Sequence, residues 1–487
     1  MHTSRMDEIL KVLNTKNIDY RERTIPYHRG VLKLLYIKEL VNNCALAEQI
    51  IKPLIEYCAN ERKPLNARHT VENVIYAAEC RIEENAALVT GYILSGMVVM
   101  LFSNAPQYVV VNIKEVPHRG VTTPQITYTM RGPKDCFVEN LEVNLSLIRY
   151  RIKDPNIRID MLKIGERTKT NVAVIYIEDI ANNNIVSEVK KRLDAIKTDS
   201  TWGTGEIQQF LQNSKRDLFP QTGTTERSDW ACEALMEGRV VILADGGQIA
   251  LLAPYTFPQA MVPCDDRYDN KFFGLFSHIL RYMAAFISLC FSSYYIAAVS
   301  FHTYILPVDY GILISKLRQN VLFAPLVEVL LLEFLVELIR EAILRVPSKI
   351  GAAIGVVGAI VIGQAATSAG VFSPLLLIIV AASLMASFAM PDYFAAHPFR
   401  ILKFFVIIMT GFLGFYGLSL ALTVIVTNMV SINSFGVPYM APFAPYNRYD
   451  FRRAMMFTRS TSPWREQFLR TKDNTRTDFY HQNMEPR

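Results

Sequence analysis

The sequence lacks the short motifs that seat common enzymatic chemistry. It contains no G-x-x-x-x-G-K-[ST] phosphate loop, no G-x-G-x-x-G, no H-E-x-x-H and no G-x-S-x-G. The chain is therefore not read as an enzyme, and no catalytic residue, cofactor or metal ligand is expected. Cysteine is sparse as well. Cys44, Cys58, Cys80, Cys136, Cys232, Cys264 and Cys290 are scattered without C-x-x-C pairs or nearby histidines. That spacing argues against a disulfide framework or a zinc site and for buried thiols in a reducing compartment. A net charge of +6 is small for 487 residues, and the basic residues form no patch interleaved with aromatics, so nucleic acid is not an expected partner. The opening MHTSRMDEILKVLNTKN has no long apolar core of the secretory kind. The first half is accordingly expected to stay in the cytoplasm.

What the sequence does have is two unlike halves. Up to about Phe272 the charge density is that of an ordinary soluble α/β protein; from there to about Thr427 it is that of a membrane protein. The expected fold is an α/β cytosolic module of two related subdomains plus an α-helical transmembrane bundle of about five hydrophobic runs. The boundaries read as a mobile N-terminal arm (1–29), a first subdomain (30–130), a linking segment (131–160), a second subdomain (161–271), a transmembrane domain (272–446) and a basic cytoplasmic tail (447–487).

Within the soluble half, Val31 to Tyr57 and Val71 to Ile82 show helical spacing, and Ala87 to Val111 breaks into GYILSG, MVVMLFS and QYVVVN, read as short strands joined by turns. The run from Gly238 through Asp245-Gly246-Gly247 to Leu252 echoes the run from Gly96 to Val110, strand, tight turn and strand in each, which predicts an internal repeat. Val172 to Ile177 reads as a β-branched strand and Ile185 to Lys197 as a basic amphipathic helix. Between the two copies lies RGPKDCFVEN, followed by LIRYRIKDP. It reads as a Gly-Pro turn and a short helix, a hinge or docking segment or else a plain polar linker, with Arg131, Gly132, Pro133, Phe137, Glu139, Asn140, Arg149, Arg151, Asp154 and Pro155 as its candidate residues.

In the second half, apolar runs fall at about His278–Val299, Val321–Leu344, Ile350–Ala369, Val371–Met390 and Ile401–Val426. Each is long enough to cross about 30 Å of hydrocarbon. Five crossings conflict with two cytoplasmic ends, the second inferred from the arginines after Tyr446, and Thr427–Tyr446, broken by Pro438, Pro442 and Pro445, is the expected re-entrant loop that restores the count. Glu328, Glu333, Glu337 and Glu341 lie in the second run with Arg340. Glu333, Glu337 and Glu341 share one helix face and either pair with Arg340, Arg345 or Lys349 to anchor the helix or attract cations; Arg281 is a possible partner for Glu328. In the third run Gly351, Gly355 and Gly358 form a small-residue stripe with Ala365, Ala366 and Ala369, interrupted by Ile362. Such a stripe serves close helix packing or a pore. If the small face packs, Val357, Val361 and Gln364 are candidates for the lumen; if it lines the lumen, Ile362 is the gate.

The stretch RGPKDCFVENLEVNLSLIRYRIKDPNIRID resembles the R-G-P-x-x-G-F-x-E motif and its L-I-R-x-R-I-x-D-P continuation in the GerA family, the A subunits of spore germinant receptors. The likeness continues through KTNVAVIYIEDIAN, FPQTGTTERSDWACEALMEGRVVILADG, VGAIVIGQAATSAG and SFGVPYMAPFAP to the closing WREQFLRTKD, covering roughly residues 35 to 475. One departure is Cys136, where the family usually has glycine. The resemblance implies a nutrient-receptor A subunit, or its SpoVA-operon paralogue, in the inner membrane of a dormant spore, with a transporter-like B subunit and a lipoprotein C subunit as partners besides membrane lipid. It also implies homo-oligomers around a pore that releases monovalent cations and so triggers germination. The alternative of another class is a non-conducting structural and signalling scaffold. A secondary transporter is disfavoured, because no duplicated pair of broken helices is visible.

Overall fold

The structure is a computed structural model that describes residues 5–15, 20–28, 30–60, 65–114, 131–214, 217–263, 265–266, 270–345, 361–456 and 464–476. The chain divides into two compact units, one built from residues 1–215, 222–254 and 462–487 and the other from 216–221 and 255–461. The second unit is thus inserted into the chain of the first.

The first unit contains helix α1 (Arg5–Thr15), strands β1 (Arg21–Tyr27) and β2 (Gly30–Tyr36), helices α2 (Lys52–Asn60) and α3 (Ala67–Asn73), strand β3 (Cys80–Glu83), helix α4 (Val89–Leu94) and strands β4 (Val98–Phe102) and β5 (Tyr108–Val111). The strands form one antiparallel sheet in the order β1-β2-β4-β5-β3. After the motif helix α5 (Leu141–Arg151) come β6 (Ile157–Ile164), β7 (Thr170–Ile177), α6 (Asn183–Asp194), α7 (Thr204–Leu211), β8 (Gly223–Thr225), α8 (Ser228–Met236), β9 (Val240–Ala244) and β10 (Ala250–Ala253). Their sheet runs β6-β7-β9-β10-β8, the same order by rank as the first. The correspondence reaches single residues: Gly96 and Gly238, each two residues ahead of a central strand, adopt φ +84° and +88°, a left-handed conformation that glycine takes without steric cost.

Both sheets are middle layers. β4, β5, β9 and β10 are buried along their whole length, on both faces. On one face of the first sheet Val98, Met100 and Val109 pack with Ile50 and Leu54; on the other Val99, Leu101 and Val110 pack with Ile9, Leu13 and Ile93. In the second sheet Ile175, Val241 and Leu243 meet Leu145, Ile148 and Leu235, from α5 and α8.

Several boundaries differ from the expected ones. The described parts of the arm 1–29 are not free: α1 buries Ile9 and Leu13, and β1 pairs with β2 over seven residues. Its stripe of apolar residues is short and flanked by charge, so it shows its value only beside a sheet that it covers. Val31–Tyr36, expected helical, is strand β2, because it pairs with β4. GYIL, expected as a strand, is helix α4, and Cys80–Glu83, expected as the end of a helix, is an edge strand. The segment 131–160 is no linker, since Phe137, Leu141, Leu145 and Ile148 belong to the core of the second sheet. The second subdomain ends at Pro254, because Phe257 and Met261 join the core of the helical unit instead. Residues 464–476 are not a loose tail either: Leu469 is fully buried, and the Lys472 amide donates to the Ile180 carbonyl at 3.0 Å.

The helical unit contains α9 (Lys271–Ile296), continued as a π-helical turn to Phe301, then α10 (Val308–Arg318), α11 (Pro325–Arg345), α12 (Pro374–Ser387), α13 (Tyr393–Ser431) and α14 (Arg448–Met456). Among the described residues two helices are long and apolar enough to cross a membrane, Phe272–Phe301 and Tyr393–Ser431. The helix α12 has 14 residues, and most of the run 350–369 lies outside the described residues. The five-run bundle is therefore not confirmed: the described residues show these two helices and shorter companions.

The second long helix is itself divided. At Gly414 the backbone takes φ 62° and ψ −142°, far from helical values. A Cβ placed on Gly417 would lie 2.0 Å from the Met409 carbonyl oxygen, whereas eight residues of straight helix separate their ends by about 12 Å. The chain therefore folds back, and residues on both sides of the break, Phe399 and Val406, Ala421 and Ile425, share one apolar cluster with Ala285 and Leu289 of α9. Thr427–Ser431 is the last turn of α13, and the loop after it is a small hairpin, β11 (Asn433–Ser434) with β12 (Val437–Pro438), rather than an extended return. Its polar groups are satisfied inside the same unit: the Ser434 hydroxyl donates to the Gln221 carbonyl and accepts from the Tyr255 amide.

Candidate functional site

The motif segment folds as a tight collar on the second sheet. Cys136 forms an antiparallel bridge with Arg227, and the Phe137 amide donates to the Glu226 carbonyl at 2.7 Å. Asn140 caps α5, its Oδ1 accepting from the Glu142 and Val143 amides at 2.9 and 3.2 Å. Asn144 clamps Val138 in both directions, at 2.8 and 2.6 Å. The turn between β9 and β10 is tied to the same collar: the Gly246 amide donates to the Glu139 carbonyl, Gln248 donates to the Glu139 carboxylate, and the Leu141 amide donates to Asp245.

The two arginines of the motif diverge. Arg151 donates through Nη2 to both carboxylate oxygens of Asp135, at 2.5 and 2.6 Å, and through Nε to Ser228 Oγ at 2.8 Å, while Ser228 also donates to Asp135. Burial raises the Asp135 pKa, but the Arg151 and Ser228 hydrogen bonds outweigh it and hold the carboxyl below its usual range. Arg149 points the other way and lies buried among Ile37, Leu40 and Leu94 from the first half of the unit, next to Asp154 and Pro155. Asp154 turns the chain into β6, accepting from the Asn156 amide at 2.8 Å. Arg131 is exposed, and Gly132 and Pro133 are half-buried. Of the ten motif residues, Phe137, Glu139, Asn140, Arg151 and Asp154 thus serve as core, collar, cap, ion pair and turn of the second subdomain.

In the helical unit the acids of α11 meet bases on other helices. Glu333 is 0% and Lys403 4% exposed; they pair at 2.5 Å, and the Ser292 hydroxyl donates to the second carboxylate oxygen at 2.6 Å. Glu337 pairs with Arg400, which donates through Nε at 3.1 Å, and with Arg340 at 3.1 Å. As the acid number rises by four the basic number falls by three, so α11 and the first arm of α13 run antiparallel with two charge layers in register. A third layer joins Glu328 to Arg318 at 2.5 Å and to the Ser373 amide at 2.6 Å, while Arg318 also donates to the Tyr295 hydroxyl.

Arg281 is not the partner of Glu328; it is engaged by Asp266 at 2.6 and 2.7 Å. Glu341, exposed, pairs with Arg345 one turn on. Lys349 lies outside the described residues, as do Gly351, Gly355, Val357 and Gly358, and of Val361 and Ile362 only the backbone is described, in a π-helical turn. Gln364 is exposed. Among the described residues no group of three histidine, cysteine or carboxylate side chains is placed to hold a metal ion.

Reading the sequence alone misses Lys403, Arg400 and Arg318. A signal for the first two is present in HPFRILKFFV, where two bases three apart open an apolar run and complement acids four apart. It also misses Arg239 and Glu466, which form a buried ion pair in the first unit.

These features, a duplicated antiparallel α/β module carrying an inserted apolar helical unit with internal charge layers, coincide with a family match over residues 5–471 to the Bacillus/Clostridium GerA spore germination protein. The chain belongs to the GerA family. It is 32% identical over 460 residues to spore germination protein KA of Bacillus subtilis (strain 168), covering 94% of this chain and 83% of that one, and 35% identical over 424 residues to spore germination protein B1 of the same organism, covering 84% of each. Spore germination protein GerLA of Bacillus cereus is 33% identical over 450 residues, covering 92% of this chain and 87% of that one. A solved structure, the N-terminal domain of the A subunit of the Bacillus megaterium spore germinant receptor GerK3, is 24% identical, covers 52% of this chain and 94% of that chain, and has a TM-score of 0.39.

Proposed function

We propose that this chain is the membrane-embedded A subunit of a spore germinant receptor, that it oligomerises, and that in response to nutrient it opens a path for monovalent cations that starts germination. The observation that carries the membrane part is the inserted helical unit with its two apolar helices, joined to an α/β module that has its own cores. Nutrient sensing then falls to a transporter-like partner, with a lipoprotein as third member and lipid around the helices. No chemical step is asked of this chain.

The reading extends to orientation. We read the intervening segment as starting and ending on one side of the membrane, with an even number of crossings; supporting this, the chain leaves the α/β module at Pro254 and residues 464–476 pack again on that module. The reversal at Gly414 supplies a return pass inside a run that reads as one crossing in the sequence. We place the module and the chain end together in the cytoplasm.

The test is reconstitution of the full chain with its partner subunits in vesicles, followed by nutrient-dependent release of potassium. Release that appears with nutrient and disappears without this chain is the expected result; a complex that assembles and passes no cation overturns the channel reading. The second reading, a non-conducting scaffold, draws on one observation: Glu328, Glu333 and Glu337 are engaged with bases and are not offered to passing cations. Under that reading the complex forms, supports germination and carries no current.

A further inference from the structure

The chain passes between its two units at four places, a short excursion at 216–221 and the main insertion of 255–461, which leaves after Pro254 and is followed by the described segment from Trp464. The Pro254 carbonyl and Glu466, which flank the main insertion, are held by one side chain. Arg239 stands at the turn from α8 into β9, only 1% exposed, and its Nη1 donates to the Pro254 carbonyl at 2.5 Å while its Nη2 pairs with the Glu466 carboxylate. A guanidinium suits this task because its planar fork carries separate donors in fixed directions, where an ammonium offers one point of charge.

The returning segment is built around that contact. Arg465 donates through Nε to the Met236 carbonyl at 2.9 Å and through Nη1 to the carbonyls of Asp473 and Thr475 at 2.7 and 2.5 Å, closing the segment into a loop that Trp464 and Thr475 bridge. Leu469 is buried, Asn182 donates to its carbonyl, and Lys472 holds the Ile180 and Glu178 carbonyls through its amide and its ammonium. Arg476 pairs with Glu237 at 2.6 Å. The loop lies so close to the turn that a Cβ on Gly238 would come within 2.4 Å of the Thr471 methyl carbon.

We infer that Arg239 is a positioning residue that ties the two chain segments flanking the main insertion, at Pro254 and at Glu466, to one point of the α/β module, so that a displacement of the second sheet moves both segments together. The functional part of this inference rests on the receptor reading above, whereas the clamp itself does not.

The decisive variant is Glu466→Gln in the full-length chain, which keeps a hydrogen-bonding group of the same shape and removes the charge. In detergent-solubilised protein, amide exchange at 465–472 is expected to accelerate about tenfold or more, as loss of one partner of a buried ion pair implies, while β9 keeps its protection. In spores the same variant is expected to slow nutrient-triggered germination about tenfold at unchanged nutrient half-saturation, with receptor abundance within about twofold of the parent. Arg239→Lys is expected to behave alike, since charge is retained and the fork is not.

Unchanged exchange in Glu466→Gln overturns the clamp. Exchange that accelerates with germination unaltered overturns its role in coupling, and so does a slowing matched by loss of the protein, which marks a merely structural pair. A parent chain that supports no nutrient response overturns the receptor reading and leaves the exchange result standing by itself.

Discussion

Lys403 and Glu333 illustrate what a buried charge demands. Each alone is expensive in an apolar interior, and together with Ser292 they satisfy one another. Lys403→Met leaves Glu333 uncompensated and is expected to cost about 3–5 kcal/mol, while Lys403→Met with Glu333→Gln regains most of it, read as thermal unfolding in detergent. At Asp135 the folded carboxyl has a lowered pKa, so its contribution is complete above the unfolded value of about 3.9 and disappears as pH falls through the lower folded one. Asp135→Asn should therefore lower the melting temperature by a constant amount from pH 8 to about pH 5, with the difference closing below about pH 4. Cys136, placed where the family usually has glycine, does not sit at positive φ, so it brings no backbone strain. Burial pushes its thiol up to about 12, as it does that of Cys232. Iodoacetamide at pH 8 is expected to modify exposed Cys44 and to spare these two in the native protein, by peptide mass mapping.

At the scale of elements, the sequence was most legible where pattern and packing agree. The strand around Val172–Ile177, the amphipathic helix near Ile185 and the Gly96 and Gly238 repeats all carry local signals that the fold uses unchanged. It was least legible where an apolar stretch is compatible with two periods: VLKLLY and GYIL exchange helix and strand because only the neighbouring strand or turn decides between them. The reversal in α13 is a further case, since GFLGFYG reads as uninterrupted membrane helix until Gly414 turns it. Gly417→Leu is expected to be more damaging than Gly411→Leu, because the first meets the Met409 carbonyl and the second only the end of the flexible Leu326 side chain. The check is the fraction of monodisperse protein recovered after extraction.

At the scale of the whole molecule, insertion of the helical unit between Pro254 and the returning segment makes the α/β module discontinuous in sequence. Truncation after residue 456 is therefore expected to destabilise the second sheet subdomain, not merely to shorten a tail, because it removes Glu466 from Arg239 and uncovers the site of Leu469. Protease accessibility of the β8–α8 turn in membrane preparations is the measurement, with faster cleavage in the truncated chain.

By itself the sequence determined the family, the division into a charged and an apolar half, and the doubling of strand, turn and strand, because these rest on composition and on patterns that repeat within a few residues. Only the tertiary structure decided which charges neutralise which, that one apolar run doubles back, and that a single arginine binds both the Pro254 carbonyl and Glu466. Such pairings join residues 70 or 227 positions apart, and nothing in local periodicity encodes a partner at that distance.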